Sequence, residues 1–201
     1  AVLPMLLDVT QASSVETALT TLPAEWQAID ILVNNAGLAL GIDKIQDGKL
    51  ADWNTMIDTN VKGLLMVTRL VLPGMLARQQ GHIINIGSIS AHQVYSGGAV
   101  YCATKYAVKA ISEGLKMDVH GTPLRVSSVD PGMVDTKFSL TRFDQDEKRA
   151  QTVYEGMRPL QAEDIADIIY FTVSRPAHVN LADVLVFPTA QASSTILKKS
   201  L

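Results

Sequence analysis

Short apolar runs alternate along the chain with longer stretches in which apolar residues recur every three or four positions, the pattern of strands interleaved with amphipathic helices. Residues 2–7 are an apolar run ending in Asp8-Val9-Thr10 and read as a strand, with Pro4 suited to a sheet edge. Ser13-x-x-Glu16 has the form of a capping box opening a helix towards Leu22, which Pro23 ends. Residues 29–33 form a second strand running into Asn34-Asn35-Ala36-Gly37. After a loop with Gly41, Asp47 and Gly48, a long helical pattern from Leu50 carries Trp53, Met56, Ile57, Val61, Leu64, Leu65, Val67, Leu70 and Val71, with a kink expected at Pro73-Gly74. Residues 82–86 read as a strand, 100–119 as an apolar-periodic helix, and 125–129 as a strand leading into Asp130-Pro131-Gly132-Met133-Val134-Asp135-Thr136. Residues 137–160 are charged and weakly periodic and read as a flap with short helical pieces. Residues 161–173 form an amphipathic helix with Glu163 and Asp164 in its first turn, 183–187 a last strand, and 190–201 a C-terminal tail. This alternation predicts an α/β fold with a doubly wound, mostly parallel sheet covered on both faces.

At 201 residues the length fits a single domain spanning 1–201, and 47% hydrophobic with 18% charged residues is an ordinary globular composition. A net charge of −3 with no basic stripe argues against nucleic acid and against an anionic membrane surface as partners. No apolar run of membrane-spanning length and no signal-peptide start are read in the sequence. The single cysteine, Cys102, allows no internal disulfide, fits a reducing, cytoplasmic compartment, and reads as a small packed residue. No metal site is expected.

The chemistry concentrates in residues 88–105. The strand at 82–86 and Gly87 deliver Ser88 to a strand end, and a loop with Gly97 and Gly98 follows. Tyr101 and Lys105 then stand four apart on a helix, hence on one face. A free tyrosine titrates near ~10, too high for a base at neutral pH, and a neighbouring cation stabilises the phenolate. A serine hydroxyl beside them can hold a substrate oxygen against the phenol. Together the three groups suit proton transfer during carbonyl reduction or alcohol oxidation.

The order of motifs is more specific than any one of them. Asp8-Val9, Asn34-Asn35-Ala36-Gly37, Asn60, Ser88, Tyr101-x-x-x-Lys105 and Pro131-Gly132 occur in the order of the short-chain dehydrogenase/reductase family, which the chain resembles from about residue 2 to 186. Leu22-Pro23-Ala24-Glu25-Trp26, Asn34 to Gly41, Met56-Ile57-Asp58-Thr59-Asn60 and Pro176-Ala177-His178-Val179-Asn180 resemble its NADP-dependent 3-hydroxy acid (serine) dehydrogenase branch. The resemblance implies that Tyr101 is the acid/base and that Lys105 lowers its pKa and binds the nicotinamide ribose. It further implies that Ser88 positions the substrate and that Asn60 holds a water near Lys105. For the cofactor, NADP with NAD as the alternative, it implies Asp8 and Val9 at the adenine, Asn35, Ala36 and Gly37 behind the ribose, and Pro131, Gly132, Met133, Val134 and Thr136 at the carboxamide. For a hydroxy acid substrate, the Arg142 guanidinium in the flap suits the carboxylate, its bland alternative being a surface pair with Asp144 or Asp146. His92 and Gln93 are further candidates to line the pocket, with His92 expected to be exposed.

The resemblance breaks at the beginning. The family's glycine-rich pyrophosphate turn is not among the 201 residues, and the first strand here resembles the family's third. The expectation is an N-terminally truncated form lacking on the order of 40–50 residues, with residues 2–7 unpaired or moved beside 29–33. Surplus apolar surface on the helices around Leu64 and Ile111 implies, with the family resemblance, a homodimer or homotetramer. Other carbonyl substrates (3-oxoacyl, sugar, steroid or diketone) and an inactive scaffold remain as alternatives.

Overall fold

The computed structural model describes residues 1–199. Four strands, β1 (Ile31–Asn34), β2 (His82–Ile86), β3 (Arg125–Pro131) and β4 (Asp183–Val186), make one parallel sheet in sequence order. Parallel neighbours require crossover connections, which the helices supply. These are α1 (Ala12–Thr20), α2 (Leu50–Ile57), α3 (Leu64–Arg78), α4 (Ala99–Asp118), α5 (Phe138–Arg142), α6 (Glu147–Thr152) and α7 (Ala162–Val173).

Alternation along the strands sends side chains to two faces. Leu32, Ile83 and Val126 meet Val15 of α1, Val67, Val71 and Met75 of α3, and Leu115 of α4. Ile84, Val129 and Val184 meet Ile165, Ile168 and Ile169 of α7. Towards the carboxyl ends of the strands the first face turns polar. The Asn34 Nδ2 donates to Asn85 Oδ1 at 2.8 Å and to Thr68 Oγ1 at 3.0 Å, and Asn85 Nδ2 donates to Ser112 Oγ at 2.8 Å. This ladder ties β1, β2, α3 and α4 together at the end of the sheet from which β2 runs on to Ser88.

Several expectations are corrected. Residues 2–7 are not a strand: they pair with no strand among the described residues, and Leu6 is fully exposed. The apolar run has no neighbour to complete its backbone hydrogen bonds, so pattern alone does not make a strand of it. The Ser13-x-x-Glu16 capping box does not form: Gln11 stands at the N-cap of α1, and Ser14 Oγ accepts instead from the Asp8 N–H at 3.0 Å. The box is found at α7, where Gln161 and Asp164 cap each other's backbone. In the long helix the departure from α geometry lies at the π-helical turn Asp58–Gly63, while α3 continues through Pro73 to Arg78. The whole stretch Leu50–Arg78 is long and apolar enough, by length and composition, to cross a membrane, contrary to the sequence reading. Its buried side packs on the sheet, and its π turn carries Asp58 and Lys62, which pair at 2.8 Å. The last two residues of the 190–201 tail lie outside the described residues.

Candidate active site

Ser88, Tyr101, Lys105 and Asn60, drawn from three separate segments, converge at the carboxyl end of β2. The strand hands Ser88 to a 3₁₀ turn, Ile89–Ala91, which Ser88 caps by accepting the Ser90 N–H at 3.1 Å. The turn brings the hydroxyl to the first turn of α4, close enough to the Tyr101 phenol to favour its ionised form. One helical turn on, the buried Lys105 ammonium donates to the Ile86 carbonyl at 2.8 Å and lies 6.0 Å from the Tyr101 ring centre. Asn60 comes from the π turn. Its Oδ1 accepts the Leu38 N–H at 2.8 Å, and its Nδ2 donates to the Leu38 carbonyl at 2.8 Å and to Thr104 Oγ1 at 3.0 Å. Asn60 therefore fastens the loop after β1 to α4.

The electrostatics differ in one respect from the expectation. Burial raises the Tyr101 phenol well above its ordinary value, opposed by the neighbouring Ser88 hydroxyl and by the Arg142 charge. Burial also pushes Lys105 down to about 8, opposed by Asp130. The lysine is thus a desolvated cation close to the phenol rather than the dominant influence on its proton.

Arg142 stands in the site and not in a surface pair. Its guanidinium carbon is 5.3 Å from the Tyr101 ring centre, Nε donates to the Gly41 carbonyl at 3.2 Å, and Nη2 donates to the Tyr95 hydroxyl. Phe138 of α5 packs on Tyr101 with ring centres 5.6 Å apart. Gly41, Trp53, Met56, Gly97 and Val100 line the hollow in front of Tyr101.

The remaining predicted residues are disposed around this centre. Asn35, Ala36 and Gly37 are exposed beyond the end of β1. The loop after β3 is fixed by Gly132 N–H to the Val186 carbonyl at 2.7 Å, Met133 N–H to Gln191 Oε1 at 2.8 Å, and Tyr154 hydroxyl to the Val134 carbonyl at 2.7 Å. Pro131 is buried, and Thr136 is exposed and accepts the Phe138 N–H at 3.2 Å. Val9 packs on Gly63 in the π turn, and Asp8 is exposed with its carboxylate accepting from Thr10. Asp8 shares no contact with the catalytic groups among the described residues.

Sequence reasoning missed Tyr95, Phe138, Gln191 and the partnership of His92 with Asp130. His92 is half-buried rather than exposed, its Nε2 2.5 Å from Asp130 Oδ2. A charged residue in the apolar strand preceding Pro131-Gly132 was the available signal.

A proton donor or acceptor buried at the carboxyl edge of a parallel sheet, beside a hydroxyl and a lysine, defines an α/β oxidoreductase of alcohols and carbonyls. The chain belongs to the short-chain dehydrogenase family, which residues 1–147 match. It is 47% identical over 192 residues to the NADP-dependent 3-hydroxy acid dehydrogenase of Salmonella typhi, covering 95% of this chain and 77% of that one. To the enzyme of the same name from Schizosaccharomyces pombe it is 45% identical over 193 residues, covering 96% of this chain and 74% of that one. Among solved structures, the closed form of a serine dehydrogenase complexed with NADP+ superposes with a TM-score of 0.93 at 45% identity, over 97% of this chain and 79% of the other.

Proposed function

We propose that the protein is an NADP-dependent dehydrogenase of small 3-hydroxy acids such as serine or 3-hydroxyisobutyrate. The observation that carries this reading is the placement of Arg142 over the ring of the buried Tyr101, beside Ser88. A carboxylate two carbons from the reacting oxygen then finds a guanidinium beside the proton-transfer pair. Arg142 Nη1 has no partner among the described residues and is the edge that meets it.

The residues fit a nicotinamide dinucleotide. Gly37 presents bare backbone to the cleft: a Cβ there would come within 3.3 Å of Asn60 Oδ1 and 3.6 Å of Lys105 Nζ. Asn35, Ala36 and Gly37 would back the ribose, Lys105 would bond its hydroxyls, and the residues from Pro131 to Thr136 would face the carboxamide, with Asp8 and Val9 at the adenine. When bound, the nicotinamide supplies the hydride acceptor or donor. Tyr101 takes the proton from the substrate hydroxyl in oxidation and returns it in reduction. Ser88 donates to the same oxygen, and Asn60 holds a water near Lys105.

The chain acts as one domain, with 137–160 as a flap over the substrate and 190–201 as a tail. Exposed Leu65 and Leu70 on α3 and Tyr106 and Met117 on α4 support a homodimer or homotetramer, and a lone buried cysteine supports a cytoplasmic location. A second reading, a reductase of bulkier carbonyls, is favoured by the apolar wall of Trp53, Met56 and Val100. Steady-state rates with NADP+ on L-serine, 3-hydroxyisobutyrate and a panel of neutral alcohols separate the two. Turnover confined to the acids supports the first; turnover confined to neutral alcohols overturns it. No turnover with any of them supports the scaffold alternative.

A further inference from the structure

Asp130 is a fully buried carboxylate that the proposed reaction does not use. Its Oδ1 accepts from Ser128 Oγ at 2.5 Å, and its Oδ2 lies 2.5 Å from His92 Nε2. On the other side of the imidazole, Lys109 Nζ stands 3.1 Å from Nδ1 and 3.5 Å from Asp183 Oδ2. An ammonium can only donate, so Nδ1 accepts and Nε2 carries the ring's single proton towards Asp130. Burial raises the Asp130 carboxyl above its ordinary value, and the Ser128 and His92 hydrogen bonds act against that, favouring the carboxylate and fixing its direction.

That carboxylate is pressed against the chain next to the catalytic lysine. A Cβ on Gly87 would overlap Asp130 Oδ1, and the preceding residue, Ile86, supplies the carbonyl that holds Lys105 Nζ. The Ile86–Gly87 peptide thus touches both groups, its carbonyl holding the ammonium and its glycine abutting the acid, in an interior where charges are weakly screened.

We infer that Asp130 is a positioning residue for the catalytic lysine: across the Ile86–Gly87 peptide it supplies the counter-charge that keeps buried Lys105 an ammonium, and His92 and Ser128 hold it in place. Burial alone drives Lys105 towards neutrality, and Asp130 is the charge acting against it. The titratable groups around the pair are Tyr101 and Lys109 on α4, His92 in the serine turn and Asp183 on β4. Asp183 is half-exposed at the rim of the cluster, where solvent screens it.

The inference rests on Lys105 acting with Tyr101, and its test reads the resting full chain rather than turnover. With ¹³Cε-labelled lysine, the NMR titration midpoint of Lys105 in Asp130→Asn is expected to fall by about one pH unit or more, with a smaller fall in Asp183→Asn. By reciprocity, Lys105→Met raises the Asp130 carboxyl midpoint by a comparable amount, a readout that survives if Asp130→Asn does not fold. An unmoved Lys105 midpoint in folded Asp130→Asn, equal shifts in the two acid variants, or an Asp130 midpoint indifferent to Lys105→Met would each overturn the inference. Absence of turnover on every 3-hydroxy acid would overturn the functional reading and leave these titrations to stand on their own.

Discussion

Tyr101 works from a disadvantage, because the burial that brings it to Ser88 also holds its proton. Oxidation of an alcohol needs the phenolate and reduction of a carbonyl needs the phenol, so the two directions depend oppositely on pH. With the phenol raised, the rate of serine oxidation is expected to climb through the alkaline range while carbonyl reduction stays level until pH approaches the raised value, as pH–rate profiles in both directions would register. Tyr101→Phe keeps the ring that packs on Phe138 and removes only the proton carrier; kcat should fall about 10²–10⁴-fold with an unchanged melting temperature. Arg142 acts differently. Its truncation to alanine leaves the proton-transfer pair in place and removes a charge-assisted bond to the carboxylate. The Michaelis constant for serine should rise about ten-fold or more, with a smaller loss in kcat. An unchanged constant would remove Arg142 from substrate binding.

At the scale of elements, the ends of the sheet are specialised in opposite ways. At the carboxyl end of β2 the missing side chain of Gly87 makes room for the Asp130 carboxylate. Gly87→Ala must displace that acid or the serine turn, and about 1–3 kcal/mol of stability should be lost, as denaturant unfolding would measure. At the amino end, His82 is buried with Nδ1 unpartnered among the described residues and Nε2 shared with Ser127 Oγ at 2.8 Å. Burial first, and the nearby Arg125 charge second, push it down to about 4 from an ordinary 6.5. The unfolded chain then binds a proton that the folded chain refuses between those values. Stability from His82 is fully present above pH ~6.5 and lost as pH falls through ~4, a loss on the order of 3 kcal/mol. Thermal melts of the native chain and His82→Gln across that window should converge as pH drops. The branch-like run Pro176–Asn180 also serves the architecture, since Asn180 bonds both backbone groups of Val126 at 2.9 Å and so anchors the start of β3.

For the whole molecule, the catalytic half and the phosphate-binding half of the family's pattern are unequally represented. Ser88, Tyr101 and Lys105 are assembled, whereas no glycine-rich pyrophosphate turn lies within the 201 residues. Backbone N–H groups at a helix start are what hold such phosphates, so the 201-residue chain should bind NADPH more weakly than micromolar. A fluorescence titration returning a micromolar constant would contradict this.

What the chain determined by itself was periodicity and spacing. The strand at His82–Ile86, the helix that became Ala99–Asp118, and Tyr101 with Lys105 on one face follow from local geometry, which a sequence carries in full. Local pattern did not distinguish an apolar run with a neighbour from one without, and residues 2–7 are not a strand because pairing is a property of two segments. Nor did it show that the polar positions inside β2 and β3 point into the core. Asn85 and Asp130 read as interruptions in apolar strands and are the buried anchors of the site, each satisfied by partners distant in the chain. Tertiary packing decided those matters, and with them the charge state of the lysine, because a buried polar group takes its meaning from whatever the fold brings within hydrogen-bonding distance.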